Sequence, residues 1–321
     1  MNFTEDDMKK KAKKKTAVTA AGGYCGFKVK GRFIYDSSGG EFIMRGVNKM
    51  AVWLDPDGDA SFGEIAKTGA NAVRIVWTIK DGTIDGLDTV ITNCVKRKMT
   101  PIIEIHDFTG EWGAKVFKTA TDYWTAPEMV AVIKKHEKYL IINYGNEIGS
   151  DKVSGAEFRK RYSAAVVKMR RSGIRVPVMI DAASWGTGMD YIYNNWKYLV
   201  SKDPLKNLIF SIHMWWNDGD EKRVKDAVRK AAKLKIPLVV GEFAAAGIDN
   251  KGVICYGTII KECDTAKTGW LAWEWGPGNL HGSMMDMTKN NRFNTLWGWA
   301  KEVCLDSPYS IRNTAIRVKN I

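Results

Sequence analysis

Eight short apolar segments recur along the chain at nearly regular intervals, and this repeat limits the possible folds more than any other feature of the sequence. The segments are rich in Ile, Val, Phe and Trp, and their first residues lie 29, 29, 40, 36, 32, 29 and 32 positions apart. Each interval has room for one strand, one amphipathic helix and two loops. The segments are FIMRGVN (42–48), NAVRIVW (71–77), TPIIEIH (100–106), LIINYGNE (140–147), VPVMIDAA (176–183), LIFSIHMWW (208–216), PLVVGEF (237–243) and GWLAWEW (269–275).

The repeat predicts a single (β/α)8 TIM barrel. Nearly continuous apolar segments are typical of parallel strands covered on both faces, and helical patterns such as those at 157–173 and 221–235 lie between them. Eight such units close into a barrel whose usual length is about 250 residues, which matches the span from 42 to 303. An open doubly wound sheet needs a glycine-rich phosphate turn after its first strand, and RGVNKMAVW lacks one.

The chain before the first barrel strand predicts two further features. Residues 26–42, GFKVKGRFIYDSSGGEF, are expected to form a short β-hairpin with a Gly-Gly turn that covers the barrel floor. Residues 1–22, with six Lys between positions 9 and 15, predict a flexible basic tail. The expected organisation is therefore a tail over 1–22 and one barrel domain over 23–321.

Composition excludes several classes of protein. Hydrophobic residues make up 45% and charged residues 26%, as in ordinary globular proteins, and we expect no membrane partner because no apolar run approaches about 20 residues. The net charge of +13 is accompanied by no nucleic-acid-binding motif, so we expect no nucleic-acid partner. Five scattered Cys and only four His fit neither a disulfide framework nor a zinc site. We expect buried thiols, no metal and no cofactor.

Polar and aromatic side chains lie at the ends of the predicted strands, where barrels of this kind place their active sites. Glu147 is the last residue of the fourth segment and Glu242 the second-last of the seventh. These two strands stand nearly opposite in an eight-stranded barrel, so the carboxyl groups should face each other. A glycosidase needs one protonated and one ionised carboxyl group. Asp181 is equally consistent with structural hydrogen bonding and with substrate contact. The second strand carries Arg74, and the strand-end residues are His106, Asn146, Glu147, Asp181, His213, Glu242 and Trp273.

Taken in order and spacing, the strand-end motifs resemble those of glycoside hydrolase family 5, and within it most those of bacterial endo-β-1,4-mannanases. The resemblance covers residues 26–317, nearly everything except the tail. It implies a retaining mechanism without a cofactor, acting on a β-1,4-linked polysaccharide. The motifs are FIMRGVN, NAVRIV, EIHDFTG, NYGNE, MIDAASWG, FSIHM, GEF and GWLAWEW.

The resemblance also implies a role for each matching residue. Glu147 would be the acid/base and Glu242 the nucleophile. The remaining matches concern positioning and sugar binding. Arg74 and His213 would flank the nucleophile, His106 and Asn146 would bind the sugar in the cleaved subsite, and Trp273 would stack beneath it.

Elementary electrostatics supports these roles. Arg74 is a permanent cation, so we expect it to lower the pKa of Glu242 and keep that carboxylate ionised. Glu147 should have the raised pKa, because of burial and its negative neighbour. The thirteen Trp offer flat surfaces suited to sugar rings. We take Trp185, Trp215 and Trp273 as candidate platforms, and Trp53, Trp196, Trp297 and Trp299 as packing residues.

Three positions depart from the pattern of the resembled family. Trp215 stands where the family has Tyr, whose hydroxyl group would hydrogen-bond the nucleophile. The indole N–H of Trp215 is a donor that could take its place. Ile148 stands where the mannanases tend to have Trp, and residues 276–279, GPGN, differ from their usual loop. These changes leave the Glu pair intact but bear on substrate choice.

Three other functions remain open from the sequence. An endo-β-1,4-glucanase fits the same motifs, because glucose and mannose differ only at the 2-hydroxyl. The second is a glycan-binding barrel that has lost catalytic turnover, which the replacement of the family's Tyr by Trp215 suggests. The third is a metal-dependent barrel hydrolase. A polymeric substrate implies secretion, although the sequence shows no signal peptide, and we expect a monomer.

Overall fold

The computed structural model describes residues 23–319 and 321, and it confirms the (β/α)8 barrel. The predicted basic tail lies outside the described residues. Eight parallel strands close in the order β10-β11-β4-β5-β6-β7-β8-β9. They are β4 (Arg45–Lys49), β5 (Ala72–Trp77), β6 (Thr100–Ile105), β7 (Ile141–Asn143), β8 (Val178–Asp181), β9 (Leu208–His213), β10 (Leu238–Glu242) and β11 (Gly269–Ala272).

Strand β4 closes the barrel by pairing with β11 on one side and β5 on the other. Leu271 pairs with Gly46, and Gly46 pairs with Ala72. A Cβ on Gly46 would lie 1.9 Å from the carbonyl oxygen of Ala72. Glycine is therefore required at this point of closure, because the neighbouring backbone occupies the space of any side chain.

Helices cover the outside of the barrel, and several begin with a side-chain cap. Thr83, Ser154 and Asp220 each accept a hydrogen bond from the backbone N–H three residues later, which satisfies a donor that the first turn leaves free. The helices are α1 (Ala51–Leu54), α2 (Asp59–Ala66), α3 (Ile84–Lys96), α4 (Ala114–Thr125), α5 (Pro127–Lys135), α6 (Gly155–Arg171), α7 (Met189–Lys202), α8 (Glu221–Lys233), α9 (Tyr256–Thr265), α10 (Gly298–Lys301) and α11 (Ile311–Thr314).

The expectation of one helix per interval is wrong for the longest interval. The 40 residues between the third and fourth segments hold both α4 and α5. Pro127 occupies the first turn of α5 and cannot donate the backbone hydrogen bond that would continue α4. The first interval also holds two helices, the short α1 and α2.

The predicted hairpin is a three-stranded antiparallel sheet, of β1 (Lys28–Lys30), β2 (Phe33–Tyr35) and β3 (Glu41–Phe42). The Gly-Gly turn joins β2 to β3, and Gly39 has a φ of 83°. Phe27, Ile34 and Phe42 are buried against side chains from the amino-terminal parts of the barrel strands, so the floor position is confirmed. The first apolar segment is accordingly split between two sheets. The barrel side chains that meet the floor sheet are Ala72, Ile102, Ile141, Met179, Ile209, Val239 and Leu271.

A continuous apolar core lies between the strands and the helices. The prediction of buried thiols is confirmed for Cys94, Cys263 and Cys304. It is wrong for Cys25, which is exposed, and for Cys255, which is only partly buried. Within the described residues, none of the helices combines the length and the hydrophobicity needed to cross a bilayer.

Candidate active site

The two predicted catalytic carboxyl groups meet at the carboxyl end of the barrel. Glu242 is the last residue of β10, whereas Glu147 lies in the turn four residues after β7 ends at Asn143. Glu147 adopts a left-handed conformation with φ 47°, which is uncommon for a residue other than glycine. Both side chains are nearly buried, and each offers a carboxylate oxygen within 4.8 Å of the other's.

Arg74 organises the base of the site from the middle of β5. Its Nη1 lies 2.6 Å from Glu242 Oε1 and donates to Asn48 Oδ1 at 3.0 Å. Its Nε donates to Asn143 Oδ1 at 2.8 Å, and its Nη2 donates to Asn146 Oδ1 at 2.7 Å. The guanidinium group is fully buried, so these four contacts fix the carboxylate and the amide that face the cleft.

His106 follows β6 and is held by a carboxylate from the same strand. Its Nδ1 lies 2.9 Å from Glu104 Oε1, and its Nε2 lies 3.4 Å from Asn146 Nδ2. Burial lowers the pKa of His106, but the charge and hydrogen bond of Glu104, together with the charge of Glu242, outweigh this, and the net shift is upward. Glu104 therefore orients the imidazole ring toward the cleft.

His213 connects the two carboxyl groups. Its Nδ1 lies 2.8 Å from Glu147 Oε1 and 3.4 Å from Glu242 Oε2, and its Nε2 lies 3.5 Å from Asp181 Oδ2. Burial, with the nearby Arg74 and His106, lowers the pKa of His213 well below its usual value. His213 is thus a neutral imidazole between two acids.

The pKa shifts of the two Glu differ from the sequence-based expectation in one respect. Burial raises the pKa of Glu147 well above its usual value, and Glu242 and Asp181 add to this, as expected. Burial also raises the pKa of Glu242, to about 7, although Arg74 opposes it, so the expectation of a lowered pKa is wrong. Of the two, only Glu242 contacts the guanidinium group directly, and this contact favours the ionised form of Glu242 over that of Glu147.

Trp215 donates from its indole nitrogen to Glu242 Oε2 at 3.2 Å. The indole therefore supplies the hydrogen bond that the family's phenol would make. Its ring stands at 80° to that of Trp273, with centroids 6.5 Å apart, and the two rings form an aromatic corner beside the Glu242 carboxyl group.

Replacing Trp215 with Phe is expected to shift the acid limb of the pH profile of kcat/KM upward by up to about one pH unit, because a hydrogen bond to the ionised carboxylate is lost. Trp215→Tyr, which restores a donor, should return the limb toward that of the wild type. Trp216→Phe is the matched control, because its indole donates to Thr187 O instead. An unmoved limb in the Phe variant would show that the indole hydrogen bond does not stabilise the Glu242 carboxylate.

An open cleft of about 690 Å³ lies above the carboxyl pair. Trp273 forms part of its wall and stacks on His106 at a centroid distance of 5.9 Å and an angle of 22°. Trp185 is 47% exposed and also lines the cleft. All nine sequence-predicted site residues line this cleft or contact its carboxyl groups; they are Arg74, His106, Asn146, Glu147, Trp185, His213, Trp215, Glu242 and Trp273.

Several site residues were missed by the sequence reasoning. Trp53, expected to be a packing residue, is 47% exposed, and its ring lies at 89° to that of His106 with the ring centroids 6.0 Å apart. Glu104 sits two residues before His106, and a charged residue inside an apolar strand was the available signal. Loop residues carried no comparable signal. Further missed residues that support or line the site are Asn48, Thr109, Asn143, Asn217, Lys251, His281 and Met285.

The site also brings together a set of groups of the kind that bind metals. Glu147, His213 and Glu242 each place one nitrogen or oxygen within 4.8 Å of the others. A divalent cation there would lie beside the Arg74 guanidinium, which already contacts Glu242 at 2.6 Å. Cation–cation repulsion therefore disfavours a metal at this position.

Comparison with known proteins gives the class to which this fold and site belong. Residues 35–279 match the sequence profile of the family described as cellulase (glycosyl hydrolase family 5). The chain is 32% identical over 286 residues to mannan endo-1,4-beta-mannosidase from Salipaludibacillus agaradhaerens, covering 87% of this chain and 90% of that protein. The protein belongs to glycoside hydrolase family 5 and is a glycoside hydrolase.

Solved structures of mannanases share the fold over nearly their whole length. The catalytic domain of the mannanase from Streptomyces sp. SirexAA-E superposes with a TM-score of 0.84 at 26% identity, covering 95% of this chain and 97% of that one. The beta-mannanase from Streptomyces thermolilacinus, solved with mannohexaose, gives a TM-score of 0.82 at 27% identity, covering 91% and 97%.

Proposed function

We propose that this protein is a retaining endo-β-1,4-mannanase that acts by double displacement with Glu242 as nucleophile and Glu147 as acid/base. The observation that carries the mechanism is the separation of the carboxyl groups, whose nearest oxygens lie within 4.8 Å. Retaining glycosidases place these groups about 5–5.5 Å apart, whereas inverting enzymes leave about 6.5–9.5 Å for a water molecule. The short separation supports direct attack by a carboxylate.

The first step breaks the glycosidic bond. A Glu242 carboxylate oxygen attacks the anomeric carbon while Glu147 gives its proton to the bridging oxygen, and the shortened chain leaves as an alcohol. In the second step Glu147, now ionised, takes a proton from water. The water oxygen bonds to the anomeric carbon and releases Glu242 as a carboxylate.

The surrounding residues fit this sequence of steps. Arg74 and the Trp215 indole stabilise the Glu242 carboxylate, each by a direct contact. Asn146, fixed by Arg74 at 2.7 Å and donating to Thr109 Oγ1 at 3.0 Å, is placed to bind a substrate hydroxyl group. Trp273 supplies a flat wall for the sugar ring.

Mannan, galactomannan or glucomannan is the proposed substrate, supported by the mannanase relatives. An endo-β-1,4-glucanase is the second candidate, because Trp215 changes the surroundings of the 2-hydroxyl group that separates the two sugars. A glycan-binding barrel without turnover is the third candidate. Polymeric mannan is too large to enter a cell, so we propose that the enzyme acts outside the cell. That the protein is a monomer remains a prediction.

Initial rates on galactomannan, glucomannan, carboxymethylcellulose and xylan test the substrate class. We expect the two mannans to be cleaved fastest, with activity unchanged by EDTA, and viscosity to fall before many reducing ends appear, as endo-acting cleavage requires. Faster cleavage of carboxymethylcellulose would assign a glucanase. Binding of manno-oligosaccharides without any product would assign a glycan-binding barrel.

The stereochemistry of the first product tests the mechanism separately. With mannohexaose, proton NMR during the first minutes should show the newly formed reducing end in the β configuration. The α anomer should appear only later, by mutarotation. A first product in the α configuration would require an inverting mechanism and would remove the nucleophile role of Glu242.

A further inference from the structure

Asp181 is a fully buried carboxyl group that the double-displacement steps do not use. It ends β8, beneath the turn that carries Glu147, and it is 0% exposed. Its Oδ1 accepts a hydrogen bond from Asn143 Nδ2 at 3.0 Å, and its Oδ2 lies 3.6 Å from Arg74 Nη2. Removing a carboxylate from water is costly, and these neighbours offset part of that cost. One further contact of Asp181 gives it a specific use.

Asp181 holds the backbone of Glu147. The Glu147 N–H donates to Asp181 Oδ2 at 3.1 Å, at the residue whose φ of 47° lies in the left-handed region. Such a conformation costs energy for a side chain with a Cβ and persists only where its surroundings enforce it. The same Oδ2 lies 3.5 Å from His213 Nε2, while Nδ1 of that ring lies 2.8 Å from Glu147 Oε1.

We infer that Asp181 is a positioning residue for the acid/base. It fixes the left-handed turn of Glu147 from below and places a negative charge that keeps the proton on the Glu147 carboxyl group. The inference rests on the proposed role of Glu147.

The charge of Asp181 acts on Glu147 together with other groups. Burial and the negative charges of Glu242, Asp181 and Glu104 raise the pKa of Glu147, and Arg74 opposes them. Burial raises the pKa of Asp181, but Arg74 and the hydrogen bonds from the Glu147 N–H and Asn143 Nδ2 oppose this rise. Asp181 is therefore ionised at the alkaline pH where Glu147, whose pKa is raised well above its usual value, loses its proton. Removing the Asp181 charge should therefore make Glu147 a stronger acid. The groups facing Glu147 are Arg74, Glu104, Asp181, His213 and Glu242.

Asp181→Asn tests the inference through the pH profile of kcat/KM on mannohexaose. We expect the alkaline limb, which reports loss of the Glu147 proton, to move to lower pH by about one unit. We expect kcat to fall by at least about tenfold, because the acid is no longer held in place. Asp181→Glu keeps the charge but not the geometry, so kcat should fall while the alkaline limb stays near that of the wild type.

Asp203→Asn is the matched control, because Asp203 is also buried and is paired with an arginine, Arg170, at 3.0 Å. Asp203 lies before β9, on the floor side of the barrel. The alkaline limb of the Asp203→Asn variant should therefore match that of the wild type. An unmoved limb in Asp181→Asn, or an equal shift in Asp203→Asn, would overturn the inference. If Asp181→Asn does not fold, the Asp181→Glu variant decides, and an unchanged kcat there would overturn it. A wild-type protein that releases no sugar would instead refute the proposed function.

Discussion

Glu242→Gln is expected to lower kcat on mannohexaose by at least about 1,000-fold, because the amide has no anionic oxygen to attack the anomeric carbon. The change is nearly isosteric and removes a carboxyl group whose pKa burial raises to about 7. The amide oxygen of the variant can still accept a hydrogen bond from Arg74, which lies 2.6 Å from Glu242 Oε1 in the wild type, so the variant should remain folded. Initial rates by reducing-sugar release and a thermal unfolding curve are the two measurements.

Glu262→Gln is the control for this variant. Glu262 is also buried, but it pairs with Arg229 on the outer helices, with Nε and Oε2 2.8 Å apart. This variant should keep wild-type turnover even if its melting temperature changes. A folded Glu242→Gln protein that retains more than about 1% of the wild-type rate would remove Glu242 from the nucleophile role.

Glu147→Gln should produce the second largest effect, and one that depends on the leaving group. Turnover of mannohexaose should fall by about 100-fold or more, because the bridging oxygen is no longer protonated as it leaves. An aryl β-mannobioside with an acidic phenol as leaving group needs little protonation, so its first step should be much less affected. We expect a burst of phenol followed by slow turnover, since the second step still needs Glu147 to take a proton from water.

The pH profile provides an independent check on Glu147. In the wild type the pKa of Glu147 is raised well above its usual value by burial and by Glu242, so kcat/KM should fall at alkaline pH as this proton is lost. Residual activity of Glu147→Gln on the aryl substrate should lack that limb. An equal loss on both substrates, with the alkaline limb intact, would assign the acid/base role to another residue.

Much of the fold followed from the apolar repeat alone. Eight segments at a nearly constant spacing leave few arrangements besides a closed parallel barrel, because each strand must be covered on both faces. The floor sheet was only partly anticipated. Phe42 and Arg45 lie in one apolar segment, yet Phe42 belongs to β3 and Arg45 begins β4, since which sheet a strand joins depends on long-range pairing.

The central residues of the site were predictable, but part of its lining and the pKa of Glu242 were not. Polar residues at strand ends pointed to both Glu and to their main neighbours. The pKa of Glu242 was expected to fall because of Arg74, whereas burial raises it to about 7. Burial results from every element that surrounds a group, so its effect on the pKa cannot be inferred from a single neighbouring charge. Trp53 shows the same limit, because only the assembled barrel leaves it exposed beside His106.

The sequence by itself determined the barrel and the set of residues at its mouth, because hydrophobic periodicity and strand-end position are local properties of the chain. Only the tertiary structure decided how those residues act together. Asp181 lies 34 positions from Glu147, yet it accepts that residue's backbone N–H, and Arg74 reaches Glu242 across the barrel. Such contacts arise when eight strands close, since closure brings distant charges together in a space from which most water is excluded.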